Sequence, residues 1–412
     1  MKKPVLSLFK GFGIEIEYMI VQRTTLDVFP VSDEVMRSVT GTYANDYQRG
    51  NMGWSNEFVL HVMEIKNIRP ASSLTGLPQL FLDEIARINK ILEPLGGIML
   101  PSGMHPWMDP AKETRLWPHR YRKIYNTYNR IFNCRRHGWA NLQSLHLNIS
   151  FNGDDEFERL HAATRLILPI IPALAASSPI AGGNVSGMHD TRLAYYRSNQ
   201  SKVPSIAGRM IPEPVFTIAG YREHILDRMY RDIAAYDPDG TIQYEWLNSR
   251  GAIPRFERNA IEIRLIDAQE CPASNIAIAG MIISVLQRCV SEQWKPLKDQ
   301  KAWKVSPLLS ILKETIKKGE HAVIDNTRYL AMFDFPEAKA KAGELWHHLA
   351  AKQYGNNILD SRSLRVIRFI LDHGTLATRI LASLPGNPSH TQIRNVYQKL
   401  CRCLERNELF TG

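Results

Sequence analysis

Cysteine is scarce and unpaired in this sequence. The five that occur, Cys134, Cys271, Cys289, Cys401 and Cys403, are odd in number and form no Cys-x-x-Cys pair, which argues against a disulfide framework and against a zinc ribbon. Long apolar runs are lacking too. Leu166 to Ala181 is interrupted by Pro169, Pro172 and Pro179, and Ile276 to Leu286 is short, so no membrane span is expected. Lys2 and Lys3 precede only a few apolar residues before Lys10, without a small-residue cleavage site, so a cytoplasmic location is expected. Phosphate-cradling glycine motifs are missing: Gly11-Phe12-Gly13 lacks a third glycine, and no Gly-Lys-Ser or Gly-Lys-Thr occurs. The absence of Gly-x-Ser-x-Gly weighs against a serine hydrolase. Low-complexity tracts are absent, which excludes disordered and fibrous classes.

What is present suits a folded chain of one large domain or two ordinary ones. The 412 residues are 44 % apolar and 9 % aromatic, enough for a sizeable core. Fifty-one Lys and Arg against 41 Asp and Glu leave a net charge of +10. The densest basic segment, Arg115 to Arg136, is interleaved with Trp117, Tyr121, Tyr125, Tyr128 and Phe132. Such a pattern fits either a groove for single-stranded nucleic acid or an amphipathic helix lining a pocket for a compact anion, and the second is favoured.

Alternating patterns predict strands at 12–21, 57–67, 143–151 and 260–267, separated by helical patterns at 78–95, 154–176, 221–236 and 273–293. After Trp294 the strand signals stop, and about four helices are expected, broken at Gly319, Phe335-Pro336, Gly355 and Pro385-Gly386-Asn387-Pro388. The expected organisation is an α+β body over 1–295 with a helical region over 296–412 packed on it.

Three of the strands carry unusual polar faces. Ile14-Glu15-Ile16-Glu17-Tyr18 places Glu15 and Glu17 on one side, because strand side chains alternate with a period of two. Ser144 to Ile149 does the same with His146 and Asn148, and Ile261 to Leu265 with Glu262 and Arg264. One such face alone is usually the wet side of an antiparallel sheet. Three that carry acids, an imidazole, an amide and a guanidinium, rather than Lys, Thr and Gln, form a ligand set. If these strands are neighbours, hard divalent cations such as Mg2+, with Mn2+ as the alternative, are the economical way to offset the clustered carboxylates. Glu57 and Glu64 form a further acidic pair whose odd spacing lets both face one site only through a bulge, a bend, or a position of Glu57 outside the strand proper. A structural salt bridge to Lys or Arg is the equal alternative for that pair.

Six strings occur in an order that resembles the glutamate-cysteine ligase family of the carboxylate-amine ligase type. They are Phe12-Gly13-Ile14-Glu15-Ile16-Glu17-Tyr18, Pro101-Ser102-Gly103-Met104-His105-Pro106, Leu145-His146-Leu147-Asn148, Ala176-Ser177-Ser178-Pro179, the segment from Asp190 to Asn199, and Ile261-Glu262-Ile263-Arg264-Leu265-Ile266-Asp267. The resemblance covers about residues 10–270. It implies a curved, mainly antiparallel, glutamine-synthetase-like catalytic sheet forming a funnel, with helices outside, that holds ATP and Mg2+. It also implies metal ligands in two groups, Glu17 with Glu57 and Glu64, and Glu15 with His146 and Glu262. Arg264 resembles the phosphate contact and, with Glu17 and Glu262, a catalytic residue; His146 and Asn148 resemble the remaining cofactor contacts, and Arg197 a substrate-side residue.

Two positions depart from the family pattern. Asn148 stands where a second histidine is usual, and Arg192 replaces a small residue, which suggests a different substrate pocket. Arg192 and Arg197 are expected to hold the substrate carboxylate, given their place in a loop after Ala176-Ser177-Ser178-Pro179 and their fork geometry. The activity implied is ATP-dependent amide formation through an acyl phosphate, with glutamate the expected donor and cysteine one candidate acceptor. Amino acid and ATP are the expected partners, with no membrane or nucleic acid and with a homodimer left open. The rival readings are an idle nucleotide-binding or regulatory protein, and a nucleic-acid-binding protein that uses Arg115 to Arg136.

Overall fold

The computed structural model describes residues 5–352 and 358–412. Lys2, Lys3 and the expected break at Gly355 lie outside the described residues. The centre is an eight-stranded sheet made of β1 (Phe12–Gln22), β2 (Asp46–Arg49), β3 (Met52–Asn56), β4 (Val62–Asn67), β5 (Gly97–Leu100), β6 (Ser144–Ser150), β9 (Ala252–Arg255) and β10 (Ala260–Asp267). A small ribbon of β7 (Ile180–Ala181) and β8 (Asn184–Val185) stands apart from it. The strand order is β2-β3-β4-β1-β6-β10-β9, with β5 paired to the end of β1, and every pairing is antiparallel. This is the mainly antiparallel sheet that the family resemblance implies, within the α+β body expected from the alternating segments.

Strands β1, β6 and β10 agree with their sequence patterns to within a residue or two, because each buries a full row of aliphatic side chains. The segment 57–67 is strand only from Val62 onward, with Glu57 just beyond the end of β3. Strands β2, β3, β5 and β9 carry no clear alternation. Strand β3 is buried on both faces and β9 is short and holds Pro254, so neither shows the period that marks a half-wet strand.

Helices cover the apolar face. The predicted 273–293 helix is Pro272–Val290, 19 residues long. It is apolar enough to cross a bilayer by composition, yet 83 % of its most apolar window is buried inside the fold. It packs against the helices Leu77–Leu92, Gly153–Ile167 and Ser361–His373. Gly280 at its middle is required by close approach, since a Cβ there would lie 2.6 Å from Leu359.

The 296–412 region holds seven helices among the described residues rather than four, and a two-stranded ribbon, β11 (Val323–Ile324) with β12 (Ala340–Lys341). Its apolar side chains as far as Ile370, with Leu404, belong to the core that holds Phe12 and Trp346, whereas Leu376, Ile380, Ile393 and Tyr397 pack in a second cluster with Met19, Val21, Ile98 and Leu100 of β1 and β5. Buried donors also join it to the body: Trp346 Nε1 donates to the Ile170 carbonyl at 2.7 Å, and Tyr329 hydroxyl to the Leu166 carbonyl at 2.6 Å. Arg379 forms a buried ion pair with Glu270 at 2.6 Å.

Candidate active site

The register of the sheet assembles the polar faces. On one side of β1, Glu15 lies opposite Lys66 and Glu17 opposite Glu64; on the other, Glu15 lies opposite His146. Glu262 lies opposite Asn148 in the next pairing, and Ser55 opposite Glu64 in the outer one. Directly opposed residues share a face, so five strands, β1, β3, β4, β6 and β10, bring acids, bases and hydroxyls onto one surface.

Distances show a connected cluster. Glu17 Oε2 accepts hydrogen bonds from the Ser144 backbone N–H and hydroxyl, both at 2.8 Å. His146 stands at the centre, with Nδ1 3.4 Å from Glu15 and 4.0 Å from Glu262, and Nε2 3.0 Å from Ser144 Oγ. Glu64 Oε1 accepts from Ser55 Oγ at 2.7 Å and from Lys66 Nζ at 2.8 Å. Glu262 lies between two guanidiniums, each 2.9 Å away: Arg255 Nη1 and Arg264 Nε.

Oxygen atoms from Glu17, Glu57 and Glu64 fall within 4.8 Å of one another, as do donor atoms of Glu15, Glu64 and His146. Glu57 reaches the first group because it sits before β4 proper, one of the arrangements its odd spacing required. Glu262 is not within either compact group. Its place beside Glu15 and His146 is taken by Glu64, which belongs to both groups, while Glu262 serves as the counter-charge of Arg255 and Arg264. The salt bridge considered for the Glu57 and Glu64 pair is also present, between Glu64 and Lys66.

The charges are unbalanced. Five buried or nearly buried carboxylates (Glu15, Glu17, Glu57, Glu64, Glu262) face three inner permanent cations, Lys66, Arg255 and Arg264, with Arg258 at the rim 3.8 Å from Glu15. Burial, and then Glu17 and Glu64, hold the Glu57 carboxyl well above the usual range. Burial and Glu64 raise Glu15 in the same way, against the opposing hydrogen bond from His146. Glu64 and Glu262 also pay for burial, but Lys66 keeps the first low, and Arg264, His146 and Arg255 bring the second down to about 2. Glu64 and Glu262, each with an ammonium or guanidinium within 2.9 Å, stay charged, whereas Glu57 and Glu15 need a proton or a cation. The donors are mostly carboxylate oxygens with one imidazole, which suits hard divalent ions of the Mg2+ and Mn2+ kind.

Above this floor lies a cavity of about 580 Å³. Arg192 and Arg264 border it, and its wall includes Phe58, Tyr125, Tyr128, Trp139 and Trp246. Phe58 meets Tyr125 edge-on at 5.2 Å, and Tyr128 lies 5.4 Å from Trp139 and 6.0 Å from Trp246. Three of these rings, and the inner ligands Ser55, Lys66, Ser144 and Arg255, escape the sequence reading. Lys66 and Ser144 lie in predicted strands on the same face as the acids, a signal that was available; Ser55 and Arg255 lie in strands with no legible period.

The basic segment is corrected in part. The helix Arg122–Phe132 turns Ile124, Tyr125 and Tyr128, with Tyr121 just before it, toward the cavity. Arg122, Lys123 and Arg130 are exposed to solvent. Helical spacing at i, i+3, i+4 and i+7 gathers the aromatics on one face, so the aromatics line the pocket and the basic residues do not.

The two substrate arginines are also placed differently. Arg192 is 2 % exposed, and its Nε forms an ion pair with Asp267, which is fully buried. Asp267 also accepts hydrogen bonds from Ser177 N–H at 2.9 Å and Ser178 Oγ at 2.8 Å. Gly103 is glycine for the same reason, since a Cβ there would lie 2.5 Å from the Asp267 carboxyl carbon. Thus three of the quoted motifs meet at one buried carboxylate that braces the end of β10. Arg197 is exposed and does not line the cavity, because the short helix Thr191–Tyr196 turns it outward while Tyr196 faces in. Asn148 faces Glu15, with Nδ2 3.5 Å from Oε1, but lies outside the cavity lining. His105 is structural: its Nε2 is 2.7 Å from the Leu26 carbonyl, and burial drops its pKa to about 4.

A model of glutamate-cysteine ligase family 2 matches residues 11–399. An uncharacterized protein of Archaeoglobus fulgidus is 32 % identical over 384 residues, 92 % of this chain and 95 % of that protein. A protein of a Nocardioides species, provisionally named glutamate--cysteine ligase 2-1, is 26 % identical over 309 residues, 73 % of each chain. In three dimensions the fold is similar to a glutamate--cysteine ligase of Francisella tularensis solved in complex with AMP. The TM-score is 0.61 at 13 % identity, covering 98 % of this chain and 90 % of that one.

Proposed function

Because the chain belongs to glutamate-cysteine ligase family 2 and is an ATP-dependent carbon–nitrogen ligase, we propose that it joins the carboxylate of a small amino acid, glutamate first, to an amine. In this chemistry a carboxylate oxygen bonds the γ-phosphorus as ADP leaves. An amine nitrogen then replaces phosphate at the acyl carbon and gives up a proton, so a poor leaving group is exchanged for a good one. The observation that carries this reading is the excess of buried carboxylates over inner cations at the base of an aromatic-walled cavity.

Glu17, Glu57 and Glu64 would hold one Mg2+, and Glu15, Glu64 and His146 a second. Ions held there would supply the positive charge that offsets the charge developing on the transferred phosphoryl group. Ser144 and Ser55 fix the orientations of Glu17 and Glu64 through their hydrogen bonds. Arg264 supplies a fixed positive charge toward the cavity, and Glu262 holds that guanidinium at 2.9 Å as a positioning residue. Glu262 joins the metal ligands only by exchanging a guanidinium for the ion. The aromatic wall lowers the water content around the reacting groups, which strengthens each electrostatic contact. ATP as nucleotide is supported by the AMP complex of the Francisella relative.

ADP release from ATP and Mg2+ with a panel of amino acids tests the reading. Release that requires glutamate together with an amine is expected. No release above the ATP-only background across the whole panel overturns it, and release with a different carboxylate reassigns the donor.

A further inference from the structure

A second set of metal-type donors lies outside the cavity, where the loop preceding the helix Thr191–Tyr196 meets the turn Gly319–His321. Donor atoms of His189, Glu320 and His321 fall within 4.8 Å of one another. We propose that these three side chains bind a Zn2+-type ion that ties the segment leading into Asp190 and Arg192 to the C-terminal helices.

The donor chemistry differs from that of the cavity floor. Two imidazoles and one carboxylate are a borderline-soft set that suits zinc and disfavours magnesium, with remaining positions open to water. The outer contacts agree. His189 Nδ1 lies 3.2 Å from the Lys317 carbonyl, which only accepts, so Nδ1 carries the proton and Nε2 keeps its lone pair. A backbone carbonyl behind one ring nitrogen is the usual support of a metal-bound histidine. The Glu320 carboxylate is fixed by Thr375 N–H at 3.2 Å, by Thr375 Oγ1 at 3.0 Å and by the Thr378 hydroxyl. Oε2 accepts one of these bonds and retains a free lone pair.

The scaffold around the donors is fixed. Backbone bonds from His189 N to the Lys317 carbonyl at 3.2 Å and from Asp190 N to the Ile316 carbonyl at 3.0 Å clamp the loop to the end of the helix Val305–Lys318. The His189 ring packs on Gly319, where a Cβ would lie 2.9 Å from Cδ2, and it meets the His321 ring edge-on at 5.8 Å. His321 Nε2 stands 3.7 Å from Glu320 Oε1. Capping of the helix Leu376–Ala382 through Thr375 accounts for Glu320 by itself, but it gives no reason for two imidazoles beside it. A bound ion would join two segments distant in sequence, one of them three residues from the Arg192 that pairs with Asp267.

The test uses the full chain, freed of metal by chelation, in a large excess of Mg2+ that fills the carboxylate floor. Zn2+ is titrated calorimetrically into the wild type and into His189→Asn/His321→Asn, and Co2+ is added in parallel as a spectroscopic probe. The wild type is expected to bind one Zn2+ more than the variant, or the same site about tenfold or more tightly, and to give a visible Co2+ absorption that the variant lacks. Equal metal-free melting temperatures show that the variant folds. His321→Asn alone serves if the double variant does not, because that side chain is 56 % exposed. Equal Zn2+ stoichiometry and affinity in wild type and folded variant overturn the proposal.

Discussion

Arg192→Met separates a role in the fold from a role at the substrate. The substitution removes the guanidinium paired with Asp267 and leaves that carboxylate fully buried, 0 % exposed, with hydrogen bonds from two serines but without its cation. Asp190, also fully buried, lies close enough that Asp267 helps to raise its pKa. Removing one partner of a buried ion pair costs about 3–5 kcal/mol. Unfolding entropy of about 2.1 cal/mol/K per residue, over 412 residues, comes to about 0.9 kcal/mol/K, so the melting temperature should fall by about 3–6 °C. Calorimetric melting without ligand measures the fall, and KM values for the amino acid and ATP are taken on the same preparations. Arg192→Met/Asp267→Asn, in which no charge is stranded, should recover most of the loss. An unchanged melting temperature in the single variant, together with a raised KM for the amino acid alone, would refute the bracing role and return Arg192 to the substrate.

Arg264→Lys keeps the charge and loses the planar fork, so kcat should fall by about 100-fold or more with little change in ATP affinity; a lowered melting temperature with a proportionate loss of active protein would instead make its pair with Glu262 a structural bridge. Glu17→Gln removes one charged oxygen from the Glu17, Glu57 and Glu64 group and should abolish turnover and weaken Mg2+ binding, so near wild-type turnover takes Glu17 out of the site. The Glu57 and Glu15 carboxyls are raised in the fold, so the stability their protonated forms contribute is present below the ordinary carboxylate pKa and is lost as pH rises through the raised values. If Mg2+ replaces the proton there, its thermal stabilisation should grow as pH rises above the ordinary carboxylate range; a shift independent of pH contradicts this. His61 and His105 are buried with pKa values lowered to about 4, so their stability is present above the unfolded value near 6.5 and is lost as pH falls toward the folded value. Each contributes about 3 kcal/mol, and an NMR titration that placed either ring near its ordinary pKa would refute it.

The sequence by itself determined the three central strands and their polar faces. Alternation in β1, β6 and β10 is imposed by burial of one face, and the other face carries residues too reactive for an ordinary wet surface. That was enough to name Glu15, Glu17, His146, Glu262 and Arg264 as one cluster and to point to divalent cations. It also sufficed for the central helices, whose apolar stripes follow the helical period. Pairing partners were decided only by the tertiary structure. Glu64 faces Glu17 because β4 lies antiparallel beside β1 in a particular register, and a single-residue slip would have sent it to the core. The same assembly placed Arg255 against Glu262 and Arg192 against Asp267, from segments with no period that a sequence pattern can show. An isolated arginine reads the same whether it will meet a substrate or a buried aspartate. Which of these it meets depends on desolvation and on the neighbours across the chain, and both exist only once the sheet has closed over the loop.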